Sequence, residues 1–108
     1  MLEFKLTADN SPRFVFSCFD SDGSAQGECV FDVNGYETTV YNIRCEDEII
    51  AEGLLRSSLN FAAGRNSYIA FYKSVSHVLM AERIGFKPDK NGLQAEIPDI
   101  LMHCACGH

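Results

Sequence analysis

Near Asp47 the apolar residues of this chain change their spacing, and that change sets what the chain can fold into. Before it, short runs rich in Phe, Val, Thr, Tyr and Ile alternate with turn residues, as strands do. After it, Ile50, Leu54, Ser57 and Phe61 recur at helical intervals, with Leu55, Leu59 and Ala62 beside them.

Arg13 to Phe19 reads as a strand and Asp20-Ser-Asp-Gly-Ser24 as a turn. Gly27 to Val33 follows as a second strand, Asn34-Gly35 as a hairpin turn, and Tyr36 to Arg44 as a third strand. These three predict an antiparallel meander. Asp47 reads as the N-cap of a helix over 47–64 and Gly64 as its stop. Tyr68 to Tyr72 is a short apolar strand. Ser74 then reads as the cap of a second helix ending at Gly85, with Val75, Val78, Leu79 and Ile84 inward. Leu93 to Ile97 makes a last strand, stopped by Pro98, and Asp99 to His103 one helical turn. The predicted fold is α/β (α+β), in the order β-β-β-α-β-α-β, as a single domain over 1–108. The first helix forms a crossover, so the strands flanking it are expected to be parallel.

A net charge of −6 argues against nucleic acid and against an anionic membrane surface, because phosphate binding needs a basic face. No run approaches the ~20 apolar residues that span a bilayer. The start, Met1-Leu-Glu-Phe-Lys-Leu6, is too polar for a signal peptide. Five cysteines cannot all pair within one chain, and without an export signal they read as free thiols in a reducing, cytoplasmic compartment.

Two stretches are similar to a known family. Ile50-Ala-Glu-Gly-Leu-Leu-Arg-Ser-Ser-Leu-Asn-Phe-Ala62 resembles the first conserved helix of the GNAT N-acyltransferases. Ser74-Val-Ser-His-Val-Leu-Met-Ala-Glu-Arg-Ile-Gly-Phe86 resembles that family's second helix with its Gly-Phe ending. The topological likeness covers residues 12 to about 98. It implies a minimal, degenerate N-acyltransferase that moves an acyl group from acetyl-CoA to an amine.

The resemblance also implies a site. The family seats the cofactor's pyrophosphate on the start of its first helix, through a loop of the form Gln/Arg-x-x-Gly-x-Gly/Ala. Free N–H groups and the helix dipole attract the anion there. In this chain Glu46 stands at the Gln/Arg position, Ile49 at the first Gly and Ala51 at the second. Ile49, Ile50, Ala51 and Glu52 would hold the pyrophosphate. The main chain of Tyr41, Asn42 and Ile43 would hold pantetheine, in a cleft where two parallel strands splay apart. Glu37 or His77 would accept the amine's proton, directly or through water.

Several positions depart from the family pattern. Glu46, Asp47 and Glu48 put three carboxylates where a diphosphate should land. Ala81 replaces the tyrosine that serves the family as general acid, and Ser74 replaces an asparagine. The family's substrate-binding helices, between its first two strands, are missing.

Other features carry more than one reading. A His placed in a helix as His77 is here is more often a partly buried packing residue with one hydrogen bond than a general base. Cys45 is either a thiol activated by a helix start or a small residue at a strand end. Asp20-x-Asp22-Gly lacks the glutamate and the glycine position of a calcium loop and reads as a turn. The tail His103-Cys-Ala-Cys-Gly-His108 offers ligands suited to Zn²⁺ or Cu⁺, a strained Cys-x-Cys disulfide, or only exposed thiols. Three functional readings follow: an acyl-CoA N-acyltransferase, a non-catalytic GNAT-like domain that binds a partner or forms a homodimer, and a metal- or thiol-handling module.

Overall fold

The computed structural model describes residues 2–90 and 92–104. Its elements are β1 (Glu3–Asn10), β2 (Arg13–Phe19), β3 (Ala25–Asn34), β4 (Glu37–Cys45), α1 (Glu48–Gly64), β5 (Ile69–Tyr72), α2 (Val78–Ile84), β6 (Lys87–Asp89), β7 (Gly92–Glu96) and α3 (Ile97–Cys104). One mixed sheet runs β1-β2-β3-β4-β5-β7-β6. The expected meander is present as β2, β3 and β4, paired antiparallel. The expected parallel pair is β4 with β5, Glu37 opposite Ile69 through Val40 opposite Tyr72.

The structure adds three elements to the predicted order. β1 was not anticipated. Its Phe4, Leu6 and Ala8 alternate with exposed residues, and it pairs along β2. This alternation is what a half-buried edge strand shows. β6 adds a short hairpin with β7. α3 is a full eight-residue helix from Ile97, longer than the single turn read from Asp99. Pro98 sits in its first turn, where proline's missing N–H has no intrahelical partner to lose.

α1 forms as its sequence suggests. Ile50, Leu54, Leu55, Ser58, Leu59 and Ala62 are buried along one stripe. It lies against β1 to β4, α3 packs beside it, and α2 touches both. Phe14 and Phe31 on the sheet meet Phe61 of α1 edge-on, with ring centroids 5.0 and 6.0 Å away. Such pairs contribute about 0.5–1.5 kcal/mol beyond their buried area.

The second helix differs from expectation at its start. α2 begins at Val78, not near Ser74, and its N-cap is His77 in the left-handed region at φ 57° with no side-chain cap. Met80, Ala81 and Ile84 are the buried residues, whereas Val75 is 94% and Leu79 78% exposed. A helix starting four residues later turns a different stripe to the core, which is why Val75 and Leu79 do not face inward.

Candidate functional site

β4 bends within its length. Val30 lies opposite Asn42 and Phe31 opposite Val40, which leaves Tyr41 as the extra residue of a β-bulge. A bulge interrupts the ladder and bends its strand. Here it follows directly on Val40, the last residue of β4 paired with β5. Lys73 N–H still donates to the Val40 carbonyl at 2.8 Å. Past that point the two parallel strands part, as the family resemblance implies. β4 runs on through Ile43 to Cys45 without β5 beside it.

The segment after β5 fills the resulting gap. Ile43 N–H donates to Ser74 Oγ at 3.2 Å, and Ser76 Oγ–H donates to the Ile43 carbonyl at 2.7 Å. His77 Nε2 stands 2.7 Å from the Cys45 carbonyl. A carbonyl only accepts, so Nε2 carries a proton, and in the neutral ring the lone pair stands on Nδ1. The Tyr72 hydroxyl donates to the Ser76 carbonyl at 2.6 Å. Burial, partly offset by a hydrogen bond with Ser74, pushes the Tyr72 phenol up to about 12.

Only Glu46 and Asp47 separate β4 from α1. Asp47 is the expected N-cap. Its Oδ1 accepts from Ile49 N–H at 2.8 Å and from Ile50 N–H at 3.3 Å, while its carbonyl accepts from Ala51 N–H at 2.9 Å. Three of the amides expected to receive a pyrophosphate thus already have oxygen partners, one of them a carboxylate. The Ile49 side chain is 80% exposed beside them. Arg83 of α2 pairs with Glu48 and, at 3.0 Å, with Glu52, tying α2 to the start of α1.

The residues fit acyl-CoA unevenly. Past the bulge, β4 turns an N–H and two carbonyls away from β3, groups suited to an amide-bearing arm. The α1 turn suits a diphosphate less, because Asp47 competes for its N–H groups.

On the other side of Cys45 lies a cleft of about 650 Å³, lined by Gly27, Glu28, Arg44, Cys45, Glu46 and Asp47 among others. Glu28 and Arg44 approach to 3.7 Å across it. Cys45 Sγ donates to the Asp47 carbonyl at 3.2 Å. Burial pushes the Cys45 thiol up, and Asp47 and Glu46 add to the rise against the lowering effect of that hydrogen bond. The thiol therefore stays protonated near neutrality, as a small strand-end residue would.

The expected site residues are not all together. Ile43 and His77 lie at the gap, Tyr41 is the bulge residue beside it, and Ile49, Ile50 and Ala51 lie in the first turn of α1, whereas Asn42 pairs with Val30 and turns its main chain to β3. Glu37 opens β4 at its other end, eight residues and about 26 Å from Cys45 at strand spacing. Tyr41 turns its hydroxyl to Asp32 Oδ2 at 3.0 Å, under the Arg13 guanidinium. Sequence reasoning missed Ser76 and Tyr72 as gap residues; the Ser74-x-Ser76-His77 run after an apolar strand was the available signal. Among the described residues no three His, Cys, Asp or Glu side chains gather as a metal set. The tail expectation at His103, Cys104, Cys106 and His108 falls on side chains outside the described residues. No described helix is long and apolar enough to cross a membrane.

Neither a protein-family model nor a curated protein matches the chain. Solved structures do. The nourseothricin acetyltransferase crystal structure superposes with a TM-score of 0.62 at 18% identity, over 88% of this chain and 81% of that one. Spermidine/spermine N-acetyltransferase SpeG from Vibrio cholerae, in complex with manganese ions, gives 0.66 at 15% identity, over 86% and 70%. Mutant forms of the same enzyme give 0.67 at 13%, over 88% and 70%. The chain therefore has a GNAT-like fold.

Proposed function

We propose that this protein is a minimal acyl-CoA-dependent N-acetyltransferase acting on a cationic amine. One observation carries the reading: past the Tyr41 bulge, β4 turns the Ile43 and Cys45 main-chain groups into a gap that β5 does not fill. The acetyltransferase folds that superpose on the chain support it.

Acetyl-CoA, when bound, supplies a thioester whose acyl carbon passes to an amine, a C–N bond forming as a C–S bond breaks. The Tyr41–Ile43 main chain would hold the pantetheine arm, and the Ile43 N–H would polarise a carbonyl. Ile49, Ile50, Ala51 and Glu52 would lie along the pyrophosphate. His77 Nδ1 holds the lone pair that takes the amine's proton. The Tyr72 hydroxyl, which donates to the Ser76 carbonyl, would serve as the proton donor in place of the tyrosine that Ala81 replaces. Glu28, Glu46 and Asp47 line the cleft next to Cys45 and would attract a positively charged acceptor, such as the polyamine named for SpeG. Free thiols at Cys18, Cys29 and Cys45 suit a reducing, cytoplasmic setting.

The test is thermal unfolding with acetyl-CoA. Ligand at 100 times Kd should add about 2.7 kcal/mol. An unchanged transition at millimolar acetyl-CoA would sink the enzyme reading. Acetyl transfer to spermidine, followed by thiol release, then tests the acceptor class.

A second reading has its own support. Ser74, Ser76 and His77 occupy the gap and Asp47 occupies the helix amides, which suits a non-catalytic GNAT-like domain that binds a partner.

A further inference from the structure

The Ser74–His77 segment meets β4 in an unusual way. It does not pair as a strand; two hydroxyls and an imidazole serve three main-chain groups on Ile43 and Cys45. Ser74 and Ser76 are also joined to each other, Oγ to Oγ at 3.0 Å, and Ser76 N–H donates to Ser74 Oγ at 3.3 Å. Adjacent residues of a strand point their N–H and C=O to opposite edges. Ile43 and Cys45 therefore both face the side that β5 has left, and without the segment these groups would need other partners.

Besides these contacts, the Tyr72 hydroxyl donates to the Ser76 carbonyl at 2.6 Å. Val75, at its centre, is 94% exposed and buries almost nothing. His77 ends it at φ 57°, a left-handed conformation unfavourable for a residue with a Cβ. Polar contacts, more than apolar packing, hold a backbone that is itself strained, so the segment can be exchanged for another ligand with matching polar groups.

We propose that Ser74–His77 is a displaceable latch: in the free protein it occupies the β4 groups that the amide arm of acyl-CoA would pair with, so latch closure and acyl-CoA binding exclude each other. This rests on the acyl-CoA reading above. Opening the latch also releases the His77 ring from Cys45, which couples arrival of the acyl donor to a movement of the base.

Titration calorimetry with acetyl-CoA tests the latch, using wild type and the Ser74→Ala/Ser76→Ala double variant. Amide exchange at Ile43 is read in parallel. The latch predicts faster Ile43 exchange in the free variant and about tenfold tighter acetyl-CoA binding, as two competing hydrogen bonds are lost. Binding by the variant alone overturns the displaceable latch and the enzyme reading together, because a segment that the ligand cannot open in wild type is not displaceable. Wild-type binding with equal or weaker binding by the folded variant overturns the latch and leaves the acyl-CoA reading intact. Absence of binding in both overturns the two together. Should the double variant not fold, His77→Ala gives the same binding readout, because it removes the ring contact to Cys45 and keeps a Cβ where φ is positive.

Discussion

The Asp47 carboxylate accepts a hydrogen bond from the Ile49 amide at 2.8 Å, on the turn of α1 where a GNAT fold would receive a pyrophosphate. The same oxygen stabilises the helix and would compete with the proposed ligand. Asp47→Ala should lower stability by about 1 kcal/mol in urea unfolding, the usual cost of a lost cap. Asp47→Asn keeps a good cap and removes the charge. It should hold wild-type stability and bind acetyl-CoA more tightly. Weaker binding by the Asn variant would mean that the carboxylate is not the obstacle.

Gly27 lies across from Cys45 in the β3–β4 ladder with no room for a side chain. A Cβ there would come within 2.8 Å of both the Arg44 carbonyl oxygen and Cys45 Cβ. One of these is main chain and cannot swing aside. Gly27→Ala should destabilise by about 1–3 kcal/mol, the usual range for overpacking, read as a lower urea midpoint with unchanged slope.

Alkaline pH should unfold this protein early. Burial pushes the Cys29 thiol up to about 12 from an ordinary value of 9.0. The folded state thus favours the protonated thiol. That stability is fully present below pH 9 and is lost as pH rises from 9 towards 12. By pH 10 the loss from this one group reaches about 1.4 kcal/mol. Tyr72, raised to about 12 by burial, adds to the loss above pH 10. Cys29→Ala should flatten the fall in melting temperature between pH 9 and pH 10; an unchanged slope would show that the thiol is not its source.

Phe31 is fully buried, lies opposite Phe14 across the ladder and meets Phe61 edge-on. Phe31→Ala should cost about 3–5 kcal/mol. Because a small domain has only 5–15 kcal/mol in total, the variant should be partly unfolded by calorimetry at 37 °C.

Much of this fold was legible because much of it is local. Gly35, at φ 60°, opens the two-residue Gly35-Tyr36 turn, one residue past the Asn34-Gly35 turn expected; Asp47 caps the helix two and three residues away, and α1 carries its stripe within one segment. The sequence by itself therefore determined the meander, the first helix, the crossover and the acidic turn that sits at its start. The tertiary structure decided the rest. β1 is too polar to announce itself and becomes a strand because β2 offers it an edge. Val75 and Leu79 have the composition of core residues, yet the late start of α2 turns them to water. The gap is the clearest case. Ile43 meets Ser74 and Ser76 across 31 and 33 residues, and no local preference encodes such a pairing. It arises because a bulge at Tyr41 parts two strands, and the exposed main-chain groups must then find partners wherever the chain returns.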